Sequence, residues 1–116
     1  INVQLSYKKN KSVKKSELRN LIKFVNEKKK DIVIICGDFK INPTSKGYNY
    51  MKKKGFKSAM YEYCGEEKPT YPAKNPKKCI DYVWYMGEKI KIKKMETIGN
   101  KKYSNHLGLN AIFEIM

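Results

Sequence analysis

The sequence predicts a fold of the α+β class, built as one domain over residues 1–116, and three observations carry that prediction. Strand-period alternation occurs at both ends of the chain, where Ile1, Val3 and Leu5 alternate with polar residues and where Leu107, Leu109, Ala111, Phe113 and Ile115 do the same. Between them, Leu18, Leu21, Ile22 and Val25 recur at helical spacing, with Lys and Arg on the opposite face. A continuous apolar and β-branched run, Ile32 to Cys36, reads as a strand covered on both sides.

Each element follows in order. The opening strand is already under way at the first residue. Residues Tyr7 to Lys15 read as a lysine-rich turn, and the basic amphipathic helix follows, broken at Asp31. The buried strand comes next and is ended by Gly37. Pro43 and Thr44 open a short helix carrying Tyr48 and Met51, closed by Gly55. Phe56 to Tyr63 reads as extended or irregular, and Gly65 to Lys78, with three prolines, as a surface loop. Strand signals resume at Ile80 to Tyr85, continue in an edge strand at Ile90 and Ile92, and end in the alternating run from Leu107. No repeat is visible, and no linker divides the chain.

The chain has 116 residues, enough for one core. Hydrophobic residues make up 41% and charged residues 32%, a balance that argues for a folded protein. The 26 basic residues against 11 acidic ones leave a net charge of +15, a field that draws polyanions such as RNA. Cys36, Cys64 and Cys79 are odd in number and never at C-x-x-C spacing, so neither a disulfide framework nor a zinc site is expected, and a reducing intracellular compartment fits best. No apolar run has the length to cross a bilayer, and no membrane partner is expected. The first residue is not Met, which suggests sequence upstream of Ile1.

Two acids and one histidine stand out. Asp38, in Ile34-Ile35-Cys36-Gly37-Asp38-Phe39, sits at the mouth of the buried strand, directly after a Gly that permits a sharp exit. Asp81 lies in the apolar, aromatic segment Ile80 to Tyr85, where an unpaired charge costs several kcal/mol, so it needs a partner. His106 is the only histidine and opens the last strand, which makes an Asp81 to His106 hydrogen bond the economical pairing. An imidazole oriented by a carboxylate holds a phosphoryl oxygen or shuttles a proton.

These segments together resemble a known family. GDFKINPTSKGYNYM resembles the GDFNxxPxSxxYxxL motif of the endonuclease/exonuclease/phosphatase (DNase I-like) superfamily, and IDYVWY and SNHLGLNAIFEI resemble its IDYIWY and SDHLPLxAEF segments. The three occur in the family's order and spacing across nearly the whole chain. The Cys before GDF and the Trp-Tyr after IDY look most like the deadenylase branch to which nocturnin and Angel belong, with neutral sphingomyelinases a more distant match.

The resemblance implies half of a two-sheet, helix-flanked sandwich of four layers (α/β/β/α), here its C-terminal half. In that family, strand-end carboxylates, amides and histidines bind Mg and a scissile phosphate, and water attacks in line. By motif position, Asp38 matches the acid that orients or deprotonates the water, Asp81 the acid behind the histidine, and His106 the histidine on the phosphate. Three positions depart. Lys40 stands where the family has the Asn of GDFN, Asn105 where it has the Asp of SDH, and Gln4 where the opening strand supplies a His. The changes at Lys40 and Asn105 make the cavity two charge units more positive, so the affinity for Mg that Asp38 contributes to is expected to fall sharply. An ammonium at Lys40 is placed to pair with Asp38 instead. Asn42 is two residues beyond the motif position and is not expected to replace the lost amide.

The family's N-terminal half has no counterpart here, and a lone half would expose an apolar sheet face. The expectation is therefore completion by another protein chain or by a missing N-terminal half. The leading functional expectation is a degenerate relative that has lost hydrolysis and acts as an RNA-binding or structural subunit of a larger ribonucleoprotein assembly. Trp84, Tyr82 and Phe113 are expected in the core or against a partner. The rival is an active Mg-dependent RNA exonuclease or deadenylase-type phosphodiesterase completed by its missing half. A lipid phosphodiesterase would need membrane-facing apolar loops, which the sequence does not contain.

Overall fold

A computed structural model describes residues 1–6 and 11–116. In chain order the elements are β1 (Asn2–Gln4), α1 (Lys11–Lys28), β2 (Val33–Asp38), α2 (Lys46–Lys53), β3 (Lys57–Ser58), α3 (Ala59–Cys64), β4 (Asp81–Met86), β5 (Ile90–Ile98) and β6 (Gly108–Ile115). Among the described residues they form two sheets, one of four strands ordered β1-β2-β4-β3 and one hairpin of β5 and β6. Strand β1 runs parallel to β2, and β2 pairs antiparallel with β4.

The apolar run of β2 is explained by what covers it. Val33 and Ile35 face α1 and α2, packing with Leu18, Ile22, Val25, Met51 and Trp84. Ile34 and Cys36 face the other way, towards Val83, Met95 and the inward residues of β6, Leu109, Ala111 and Phe113. The sheet is thus the middle layer between helices and a second sheet, which is why a period-2 alternation of polar residues is absent from β2. Tyr82 and Trp84 are fully buried in the helix-side core, and Phe113 packs on the inter-sheet side.

Gly37 permits the close approach of β1. It pairs with Val3 at φ +144, and a Cβ there would lie 1.8 Å from the Val3 carbonyl oxygen. Strand β2 continues through Gly37 to Asp38 rather than ending at the glycine, because the pairings to both β1 and β4 persist through Asp38.

Other boundaries also differ from expectation. Helix α1 begins at Lys11, so residues 11–15 are helical, while the remainder of the expected turn, residues 7–10, lies outside the described residues. The helix ends at Lys28, before Asp31, with Lys29 in the left-handed conformation that commonly closes a helix. Residues 56–63, expected to be extended or irregular, are extended only at β3 and helical from Ala59. They contain β3 and α3, and α3 is capped by the Ser58 hydroxyl, which accepts from the Tyr61 amide, and closed by left-handed Gly65. Six residues are too few for helical periodicity to register. Strand β5 is longer than the expected edge strand and carries a bulge between Ile92 and Lys94. No described helix is long and apolar enough to cross a membrane.

An open cleft of about 580 Å³ is lined by residues of both sheets, Ile34, Cys36, Val83, Leu109, Ala111 and Phe113, with Asp38 and Asp81 also on its wall. The outward residues of β5 and β6 are largely polar, with Ile112 and Ile98 about half exposed.

Candidate functional site

Asp38 and Asp81 are direct cross-strand partners at the end of the β2–β4 ladder. The ladder is extended beyond them by the Phe39 amide, which donates to the Ile80 carbonyl at 2.9 Å. Two carboxylates directly opposite each other repel, so the site requires positive charge or donors between them. Two groups meet that need. His106 Nδ1 lies 2.7 Å from Asp81 Oδ2, and its Nε2 lies 3.8 Å from Asp38 Oδ2. The Lys40 ammonium lies 3.1 Å from the same Asp38 oxygen, with the two side chains 18% and 14% exposed. Since a carboxylate only accepts, Nδ1 of His106 is assigned as the donor.

Lys40 is held by its backbone as well as its charge. Its φ is +52, an unusual region for a residue with a Cβ, and its amide donates to Asp38 Oδ1 at 3.1 Å. Its carbonyl accepts from the Lys14 ammonium of α1. Asparagine tolerates this backbone conformation better than lysine does, so the lysine holds its place against a mild backbone preference.

Thr70 is the residue that sequence reasoning missed. It is fully buried in the loop 65–78, and its hydroxyl donates to Asp81 Oδ2 at 2.6 Å. Its carbonyl accepts from the Leu107 amide at 2.8 Å, which ties the loop to the residue after His106. The Tyr71 ring lies 4.8 Å from the His106 ring. Nothing periodic marks Thr70 in the sequence; only its place after Pro69 in a loop rich in proline hinted at fixed structure.

The altered positions do not all converge. Gln4 is opposite Asp38 in the β1–β2 register, with an exposed side chain. Asn105 is exposed, its side chain beside Ser104, and its carbonyl accepts from the Ala73 amide at 2.8 Å. Asn42 lies outside the cluster, where its side chain accepts from the amide and hydroxyl of Thr44 in a turn.

Asp38, Asp81 and His106 present one ligand atom each within 4.8 Å of one another, a geometry compatible with a metal. The surrounding chemistry does not fit a hard divalent cation. The Asp81 oxygen already takes two donors, and the Asp38 oxygen already faces an ammonium. A divalent ion beside that ammonium meets a repulsion of the order of several kcal/mol. What the arrangement offers is an imidazole fixed by a carboxylate and a lysine fixed by another, beside a cleft.

Neither a scan against family models nor a search of curated proteins finds a match for this sequence. Solved structures do match. An endonuclease/exonuclease/phosphatase family protein from Bacteroides thetaiotaomicron is similar with a TM-score of 0.77 at 16% identity, over 99% of this chain and 49% of that one. The catalytic domain of human nocturnin, with a bound sulfate, gives 0.72 at 19% identity over 99% and 46%. A mannosyl-6-phosphatase from Bacteroides thetaiotaomicron gives 0.74 at 16% identity over 97% and 49%. The chain thus spans about half the length of the structures it matches, and the fold is half of the sandwich they share.

Proposed function

We propose that the chain is a degenerate, non-hydrolysing relative of the endonuclease/exonuclease/phosphatase proteins that acts as an RNA-binding or structural subunit of a larger, ribonucleoprotein assembly. The observation that carries this reading is the Lys40 ammonium seated 3.1 Å from Asp38 Oδ2. That contact supplies Asp38 with its counter-charge, and an acid so paired is a poor ligand for magnesium and a poor activator of water. The net charge of +15 supports a polyanionic partner. The sulfate in the nocturnin structure supports the view that this fold accommodates an oxyanion. The open inter-sheet cleft and the half-length match support completion by another chain or by upstream sequence.

The test is incubation of the purified protein with labelled RNA in the presence of Mg²⁺ and, separately, of a chelator. RNA retained and uncut under both conditions is the expected result. Cleavage that needs Mg²⁺ and vanishes in Asp38→Ala would overturn it.

A second reading has its own observation. Asp38, Asp81 and His106 remain converged within 4.8 Å, the constellation an active Mg-dependent phosphodiesterase of the deadenylase type needs. On this reading a missing N-terminal half supplies further ligands, and Lys40 swings away when the metal binds. The same assay, repeated with the upstream half present, separates the two.

A further inference from the structure

The two loops beside His106 are lysine-bearing and free of acids, like residues 39–61, and unlike that stretch they flank His106. Residues 68–80 contain Lys68, Lys74, Lys77 and Lys78 and no acid; residues 97–113 contain Lys101, Lys102 and His106 and no acid. Every one of those six lysines is exposed.

The loops form one structure. Ala73 N donates to Asn105 O, and Leu107 N donates to Thr70 O, both at 2.8 Å. The first loop closes on itself as a small hairpin, with the Thr70 amide donating to Lys78 O at 2.9 Å and the Lys78 amide donating to Tyr71 O at 2.8 Å. The second is fixed by a turn in which Asn100 accepts from Lys102 N at 2.8 Å and from Tyr103 N at 3.1 Å. At that turn stands Tyr103, 81% exposed, the most exposed of the large hydrophobic side chains among the described residues.

An aromatic ring presented to water on an ordered turn, next to exposed lysines of which only Lys68 is paired with an acid, Glu66, has the two components of a single-strand nucleic-acid surface. The lysines neutralise phosphates and the ring offers a face to an unstacked base. We infer that this two-loop rim is the RNA-contacting surface of the chain, and that it takes single-stranded RNA, with phosphates against Lys74, Lys77, Lys101 and Lys102 and a base stacked on Tyr103. The inference rests on the RNA-binding reading proposed above and assigns it a place. A duplex, with its bases already stacked, has no free face for Tyr103 and gains only the phosphate contacts.

The test is fluorescence anisotropy with a labelled, unstructured oligouridylate and with a double-stranded RNA of equal length. Four proteins are compared: the unaltered chain, Tyr103→Ala, Lys101→Ala with Lys102→Ala, and the remote pair Lys23→Ala with Lys28→Ala on α1. Tyr103→Ala is expected to weaken single-strand binding about tenfold and leave duplex binding unchanged. The Lys101 and Lys102 pair is expected to reduce the slope of log affinity against log salt by roughly 1.4. All altered side chains are exposed, so circular dichroism should show unchanged folding. Equal binding by the unaltered chain and Tyr103→Ala, or a larger loss from the α1 pair, overturns this placement while leaving RNA binding itself intact. Absence of binding by the unaltered chain at low salt overturns both.

Discussion

The Thr70 hydroxyl donates to Asp81 Oδ2 at 2.6 Å, and this buried contact fixes the one oxygen that also receives His106. A loop residue, distant from any motif, therefore orients the carboxylate on which the imidazole rests.

Thr70→Val keeps the shape and removes the donor. Stability is expected to fall by about 1–2 kcal/mol, since a buried acceptor loses a partner. Thr70→Ser should recover most of it. Urea denaturation of the three proteins measures this; equal midpoints would mean the hydroxyl contributes nothing.

Lys40→Asn combined with Asn105→Asp removes an ammonium and adds a carboxylate. Affinity for Mg²⁺ is expected to rise by about tenfold or more. Thermal unfolding with and without Mg²⁺ reads this directly, because a ligand of the folded state raises Tm. The unaltered chain should show no such shift, and a variant that also shows none would mean that Lys40 and Asn105 do not set the affinity for Mg²⁺.

Tyr82 is expected to set an alkaline limit on stability. Burial first, then the neighbouring Glu67, pushes its hydroxyl well above the ordinary value near 10. Tyr48 is raised in the same direction for the same first cause, with Glu67 accepting from its hydroxyl at 2.7 Å. For a raised acid the folded state favours the protonated form, so the stabilisation is complete below the unfolded value and is lost as pH climbs from about 10 towards the folded value. Each such tyrosine contributes about 1.4 kcal/mol per pH unit to the fall. Tyr82→Phe should flatten the decline by about that slope. Urea midpoints between pH 9 and 11 decide it; an unchanged slope would show that Tyr82 does not titrate between the two states.

Gly37→Ala places a methyl group into the Val3 carbonyl at a φ that side chains avoid. Loss of β1 pairing and destabilisation of roughly 3 kcal/mol or more are expected. Faster hydrogen exchange at the Leu5 amide, which donates to Asp38 O at 2.8 Å, would report the release of β1 specifically. Unchanged protection there would mean the strand accommodates the methyl.

The local pattern in the sequence was sufficient for much of this. Apolar residues on consecutive positions of β2 mark a strand covered on both sides, because each face must exclude water regardless of what covers it. Alternation in β6 and helical spacing in α1 are similarly intrinsic to the chain. Asp81, charged within an aromatic strand, demanded a partner, and a single histidine left little choice. Short α3 escaped, because six residues hold too few periods and its signal lay in the caps at Ser58 and Gly65.

By itself the sequence determined the longer strands and helices, the charge of +15 and the candidacy of Asp38, Asp81 and His106, since these depend on neighbours along the chain or on composition. Tertiary structure alone decided that Asp38 and Asp81 face each other across the strands and that Thr70 and Tyr71 pack at the site. The physical reason is range. Hydrophobic period is a property of adjacent residues, whereas the meeting of a loop hydroxyl with a strand carboxylate depends on register and loop closure, which only the packed chain sets.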